Sequence, residues 1–206
     1  MGKEAALAFA RRGAKVVLAA RTVEPGDVPG TIGETLAAIE AAGGEAIAVA
    51  TDLALEADLE ALVSAAVERF GGVDVLVNNA AATQGEIWGK SFLELTRAEW
   101  EYQFAVNTHA PFTLTQLCVP IMEKRGGGRI INLSTGSGEV FRQAEELPKI
   151  NSVGSWSLAV PGYYSSKRAL DRFGNCMAPE FHAKNIAIIG MHWAEREMAA
   201  MGIELD

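Results

Sequence analysis

Five short apolar runs set the terms on which this chain folds: residues 15–20, 45–50, 73–77, 128–133 and 185–189. Each has the length of one strand and is too short for a buried helix. Between them lie segments with helical signals. Residues 3–12 are Ala-rich and stop at Gly13, and a second helix runs to about Ala42, closed by Gly43-Gly44. Leu59, Leu62, Val63, Ala66, Val67 and Phe70 form an apolar stripe at helical spacing that ends at Gly71-Gly72. A long helix is predicted over about 97–122, and another from Tyr163 to about Ala183. Strands separated by single helices pair in parallel through right-handed crossovers. The pattern therefore predicts an α/β fold, a Rossmann-like doubly wound parallel sheet with strands buried on both faces.

Nothing in the 206 residues marks a second unit, so residues 1–206 are read as one domain. A formal charge of −8 with no offsetting basic cluster excludes a nucleic-acid surface. No apolar run approaches the ~18 residues of a membrane span. The first residues lack the order of a signal peptide, and Ala6 stands where myristoylation needs Ser or Thr. A cytoplasmic protein is the expectation. Cys118 and Cys176 match no metal or redox spacing, and His109, His182 and His192 show none either, so no metal site is expected.

The polar clusters fall where such a sheet places a ligand, beyond the carboxyl ends of its strands. Arg21-Thr22 follows the first run, Asp52 the second, Asn78-Asn79-Ala80-Ala81 the third and Ser134-Thr135 the fourth. Each alone is an ordinary turn or cap. Four at one edge point to a site. Tyr163 and Lys167 lie four residues apart on one helical face. A fixed ammonium near a phenol favours the phenolate and brings a pKa of ~10 toward working pH. Tyr164 and Arg168 repeat the spacing one residue on, so the pattern by itself does not choose between the tyrosines.

Asn78-Asn79-Ala80-Ala81, Asp52-Leu53 and Tyr163-x-x-x-Lys167 together resemble the short-chain dehydrogenase/reductase family, over nearly all of the chain. The 22–30 loop, rich in Pro and Gly, resembles that of hydroxysteroid-dehydrogenase-like members. The resemblance implies reversible hydride transfer between a nicotinamide and a small alcohol or carbonyl compound. It selects Tyr163 over Tyr164 as the proton donor and gives Lys167 the task of holding the tyrosine's pKa down. It places a relay asparagine at Asn107. Pro111 supports that assignment, because it cannot donate to the Asn107 carbonyl and so breaks the helix there. The carbonyl-polarising hydroxyl falls on Thr135, with Ser134 and Ser137 as alternatives.

Gly2, Arg21, Thr22, Asp52, Leu53, Asn79, Ala80, Ala81, Tyr163 and Lys167 are the implied cofactor contacts. Ala20 stands where NAD-preferring sheets carry an acid, and Arg21 follows it, so NADP is expected over NAD. The resemblance also implies a homo-oligomer built on the long helices. Two departures accompany it. Met1-Gly2 match only the last two residues of the family's glycine motif, and the family's first and last strands find no counterpart. A sheet of order 3-2-1-4-5-6 without its first strand is open in the middle. The expectation is a gap or displacement beside residues 15–20, with a poorly packed chain that binds no NADP. The alternative is a fragment without catalysis, acting as an oligomerisation or regulatory partner.

Overall fold

A computed structural model describes residues 1–24, 31–82, 92–135 and 161–191. The 25–30 part of the Pro-Gly loop, Ser137, the 138–160 segment with Phe141, Leu147 and Trp156, and His192 onward lie outside the described residues. In chain order the elements are α1 (Gly2–Ala10), β1 (Val16–Ala20), α2 (Ile32–Ala41), β2 (Ala46–Ala50), α3 (Glu56–Phe70) and β3 (Val75–Asn78). A 3-10 turn (Phe92–Glu94) leads to α4 (Arg97–Phe104), a π-helical turn (Ala105–His109) and α5 (Ala110–Lys124). Then come β4 (Gly128–Leu133), α6 (Pro161–His182) and β5 (Ile186–Met191).

Local chemistry sets most of these boundaries. Thr31 caps α2, its hydroxyl oxygen accepting from the Glu34 amide at 3.3 Å. Thr96 and Glu99 form a reciprocal capping box at the start of α4. Asp58 accepts from the Asp52 amide at 2.8 Å, while Asp52 Oδ1 accepts from the Ala54 amide at 3.0 Å, and this turn launches α3. Gly71 ends that helix with φ 81°, a left-handed conformation that glycine adopts without strain.

All strand pairing is parallel. β1 pairs with β2 from Val16↔Ala46 to Ala20↔Ala50, and β3, β4 and β5 form a three-stranded sheet in that order. Among the described residues nothing pairs β1 with β3, so the sheet is divided at the place where the sequence predicts an opening. The core is divided in the same way. Ala6, Ala10, Leu18 and Ile39 pack together over β1. Leu59, Val63, Leu114, Met122, Ile130, Phe181 and Ile186 form a second, larger cluster around β4. The two halves meet at the carboxyl edge. Gly2 lies so close to Asn79 that a Cβ on it would sit 2.8 Å from Asn79 Nδ2. Arg21 also donates to the Tyr102 hydroxyl at 3.2 Å.

Burial corrects one expectation. Strands buried on both faces were predicted, yet Val75 is 40% exposed and Ile189 and Met191 are 44% and 52% exposed. β3 and β5 are the outer strands of their sheet, so side chains near the open edges are covered on one side only.

Candidate active site

The site is assembled at the end of β4 by the second turn of α6. Lys167 is 2% exposed, and its Nζ donates to the Leu133 carbonyl at 2.7 Å. Ser134 Oγ returns the link by donating to the Lys167 carbonyl at 3.3 Å, and the Ser134 amide donates to Met191 O at 2.8 Å. Helix, strand end and β5 are thus tied together around one buried ammonium. Burial pushes the Lys167 pKa down to about 8, against an opposing pull from the Asp171 carboxylate.

Asn107 sits in the π-helical turn and is fully buried. The Ala82 amide donates to its Oδ1 at 2.8 Å, which fixes the amide's orientation. Its Nδ2 then donates to Ser166 Oγ at 2.9 Å, and Ser166 Oγ donates to the Tyr163 carbonyl at 2.8 Å. Thr108 adds a bond from its hydroxyl to the Ser166 carbonyl at 2.9 Å. The break expected at Pro111 appears as this π turn, in which Ala110 N–H reaches back to Ala105 O. Asn107 and Tyr163, 56 residues apart in the chain (163 − 107), are connected through one serine.

Thr135 closes the same strand end, 2% exposed and next to Ser134. Ser134 Oγ is engaged with the Lys167 carbonyl. Tyr163 and Tyr164 are both half-buried, with their rings edge to face at 5.3 Å. Beneath the edge, Asn78 Nδ2 donates to Asn132 Oδ1 at 2.8 Å, between residues in register on β3 and β4. Asn79, Ala80 and Ala81 continue from there, and Gly2 is held against Asn79.

Asp52 and Leu53 lie at the end of β2, and Arg21 and Thr22 at the end of β1, both exposed. The structure thus joins Asn107 to Tyr163 through Ser166 of α6, places Lys167 next to that serine, and brings Gly2 and Asn79 together. Arg21, Thr22, Asp52 and Leu53 belong to the β1–β2 half. Sequence reasoning missed Ser166, Thr108, Tyr102 and the Ala82 amide. Ser166 carried a signal, one helical turn after Tyr163 and adjacent to Lys167.

The buried ammonium yields a prediction. Its folded pKa, near 8, lies below the ordinary 10.5, so the unfolded chain binds more protons between those values. Stability therefore rises as pH climbs from about 8 to 10.5 and is lost as pH falls back through 8. The swing is on the order of 3 kcal/mol. Urea unfolding read on the α6 half is expected to show this slope in the native sequence and not in Lys167→Met. Equal slopes would mean that Lys167 is solvated.

Parallel strands alternating with helices make this a Rossmann-like α/β fold. The chain belongs to the short chain dehydrogenase family, whose model matches residues 1–146. Hydroxysteroid dehydrogenase-like protein 2 of Xenopus tropicalis is 39% identical over 135 residues, 65% of this chain and 31% of that protein. Its human counterpart is 31% identical over 182 residues, 88% of this chain and 40% of that protein. An uncharacterized oxidoreductase of Thermotoga maritima is 38% identical over 138 residues, half of its length. The chain thus spans about a third of the length of the first curated relatives it matches. Among solved structures, a metagenomic short-chain oxidoreductase in complex with NADP aligns over 93% of this chain and 76% of its own. Its TM-score is 0.75 and its identity 30%. A 7α-hydroxysteroid dehydrogenase complexed with NADH and 7-oxo glycochenodeoxycholic acid aligns over 92% and 64%, with a TM-score of 0.72 and 30% identity. No helix among the described residues is long and apolar enough to cross a membrane.

Proposed function

We propose that this chain carries the catalytic apparatus of an NADP-dependent oxidoreductase that interconverts an alcohol and a carbonyl compound. The observation that carries this reading is the bonded series Asn107–Ser166–Tyr163, with Lys167 buried one turn further along. The residues present fit the cofactor. Gly2 presents bare backbone at the start of α1 beside Asn79, where a Cβ would collide, and a helix start of this kind suits a phosphate. Asp52 and Leu53 at the end of β2, and Asn79, Ala80 and Ala81 after β3, are proposed as further cofactor contacts.

A nicotinamide held there would supply the hydride chemistry at the substrate carbon. The protein's residues handle the proton. In reduction Tyr163 O–H gives its proton to the carbonyl oxygen as the C–O bond becomes single, and in oxidation the phenolate takes it back. Thr135 donates a hydrogen bond to that oxygen, where negative charge develops. Lys167, cationic below about pH 8, favours the phenolate, and Asn107 holds Ser166 against the Tyr163 carbonyl. Phe112 on α5 is 44% exposed, and self-association through the long helices is proposed on that exposure. Cys118 is a free thiol whose pKa burial pushes up to about 12, and Cys176 is free as well. Both suit a reducing cytoplasm.

Arg21 is assigned to the 2′-phosphate, exchanging its bond to the Tyr102 hydroxyl for a charge-assisted pair. The test uses the chain with a strand and glycine loop of the family type joined ahead of Met1. Ala20→Asp with Arg21→Ile is expected to shift the NADP/NAD ratio of kcat/KM toward NAD by roughly tenfold or more, the equivalent of ~1.4 kcal/mol. An unchanged ratio would remove Arg21 from the phosphate site.

A further inference from the structure

Gln103 is fully buried on α4, and neither its Oε1 nor its Nε2 has a hydrogen-bond partner. Leaving both ends of an amide unsatisfied is costly, and an apolar side chain of that length would avoid it. The residue's surroundings explain its size. Gln103 lies against Gly162, the second residue of α6 and the one immediately before Tyr163. A Cβ at Gly162 would overlap Gln103 Oε1 and stand 3.0 Å from its Cδ and 3.4 Å from Trp100 Cε3. The glycine has no turn to make here, because it lies in the first turn of a regular helix. Its missing side chain is the space that Gln103 fills.

We propose that Gln103 and Gly162 are a size-matched pair that sets the height of the tyrosine helix over α4, which makes Gln103 a positioning residue for Tyr163. The two sides of this contact are already linked to the site. Gln103 lies one turn before Asn107 on the same helical run, and Gly162 is followed directly by Tyr163, whose carbonyl accepts from Ser166. Asn107 grips Ser166, and Gln103 meets Gly162 one turn earlier on each helical run. A change in the bulk at 103 or 162 therefore tilts the start of α6 about the Asn107–Ser166 bond and moves the phenol. The proposal rests on the functional reading above for its consequence, but its geometry is testable without it.

The test is a double-mutant cycle in the 206-residue chain: Gly162→Ala, Gln103→Ala and the two together. Hydrogen exchange of the first two turns of α6 reads the geometry. Gly162→Ala alone is expected to speed exchange there by about tenfold, within the coupling range of residues in contact. In the Gln103→Ala background the same Gly162→Ala change should leave exchange equal or slower, since alanine is the better helix former where space exists. Gln103→Met keeps the bulk without the amide. It is expected to raise the unfolding midpoint of the α6 half and to leave Gly162→Ala just as damaging. In the strand-completed chain, kcat should fall in Gly162→Ala and recover in the double variant, with KM for the cofactor unchanged. Additive exchange effects, or Gly162→Ala that is harmless by itself, would overturn the proposal. Exchange data that show the cycle while no variant turns over any carbonyl substrate would retain the contact and reject the hydride-transfer reading.

Discussion

Tyr163→Phe is expected to lower carbonyl reduction by the strand-completed chain about a hundred- to ten-thousand-fold, the usual worth of a positioned general acid. Cofactor affinity should change little. The substitution removes only the phenolic O–H, and the backbone carbonyl that accepts from Ser166 survives in phenylalanine. Tyr164→Phe is expected to be nearly silent, although its ring touches that of Tyr163. The pair is decisive because the two tyrosines repeat one spacing toward Lys167 and Arg168. A dead Tyr164→Phe beside an active Tyr163→Phe would place the proton donor one residue away. Below about pH 8 the Lys167 ammonium supports the phenolate, so oxidation by the native sequence should lose rate as Lys167 deprotonates above that value.

The second large effect concerns the divided sheet. β1 and β3 each carry an edge that pairs with nothing among the described residues, and two separate apolar clusters stand behind them. A buried backbone group without a partner costs roughly 1–3 kcal/mol, so a few such groups rival a typical domain's whole stability of ~5–15 kcal/mol. The 206-residue chain is therefore expected to melt without a single sharp transition. Amides of β1 and β2 should exchange before those of β4, whose neighbours lie on both sides. Joining a strand and glycine loop ahead of Met1 is expected to merge the two events and to make the midpoint rise with NADP. A sharp cooperative transition in the 206-residue chain, raised by NADP, would contradict this reading of the open edges.

Much of this architecture is legible in the chain. All five apolar runs form strands with ends shifted by no more than two residues, because periodicity and flanking glycines are local signals. The run at 73–77 begins as strand only at Val75. Val73 and Asp74 are taken up by the turn, where the Asp74 carbonyl accepts from the Arg129 amide and its carboxylate pairs with Arg125. The π turn was visible as a break at Pro111 but not as to type, since its geometry depends on how α4 and α5 pack onto α6. Ser166 is marked by its place one turn after Tyr163, but its bond to Asn107 spans 59 residues and the Ala82 amide's bond spans 25, and local signals show neither. The Gln103–Gly162 contact has no sequence signal at all: a glutamine in a helix reads as surface, and only tertiary packing buries it.

Transfer of label tests the central claim most directly. The strand-completed chain is incubated with a panel of ketones and aldehydes and with NADPH carrying deuterium at the transferable position, and the product alcohols are examined by mass spectrometry. The account predicts deuterium on the carbinol carbon of at least one product, lost in Tyr163→Phe and retained in Tyr164→Phe. Tight binding of NADPH with no label transferred to any carbonyl, or transfer undiminished in Tyr163→Phe, would contradict it.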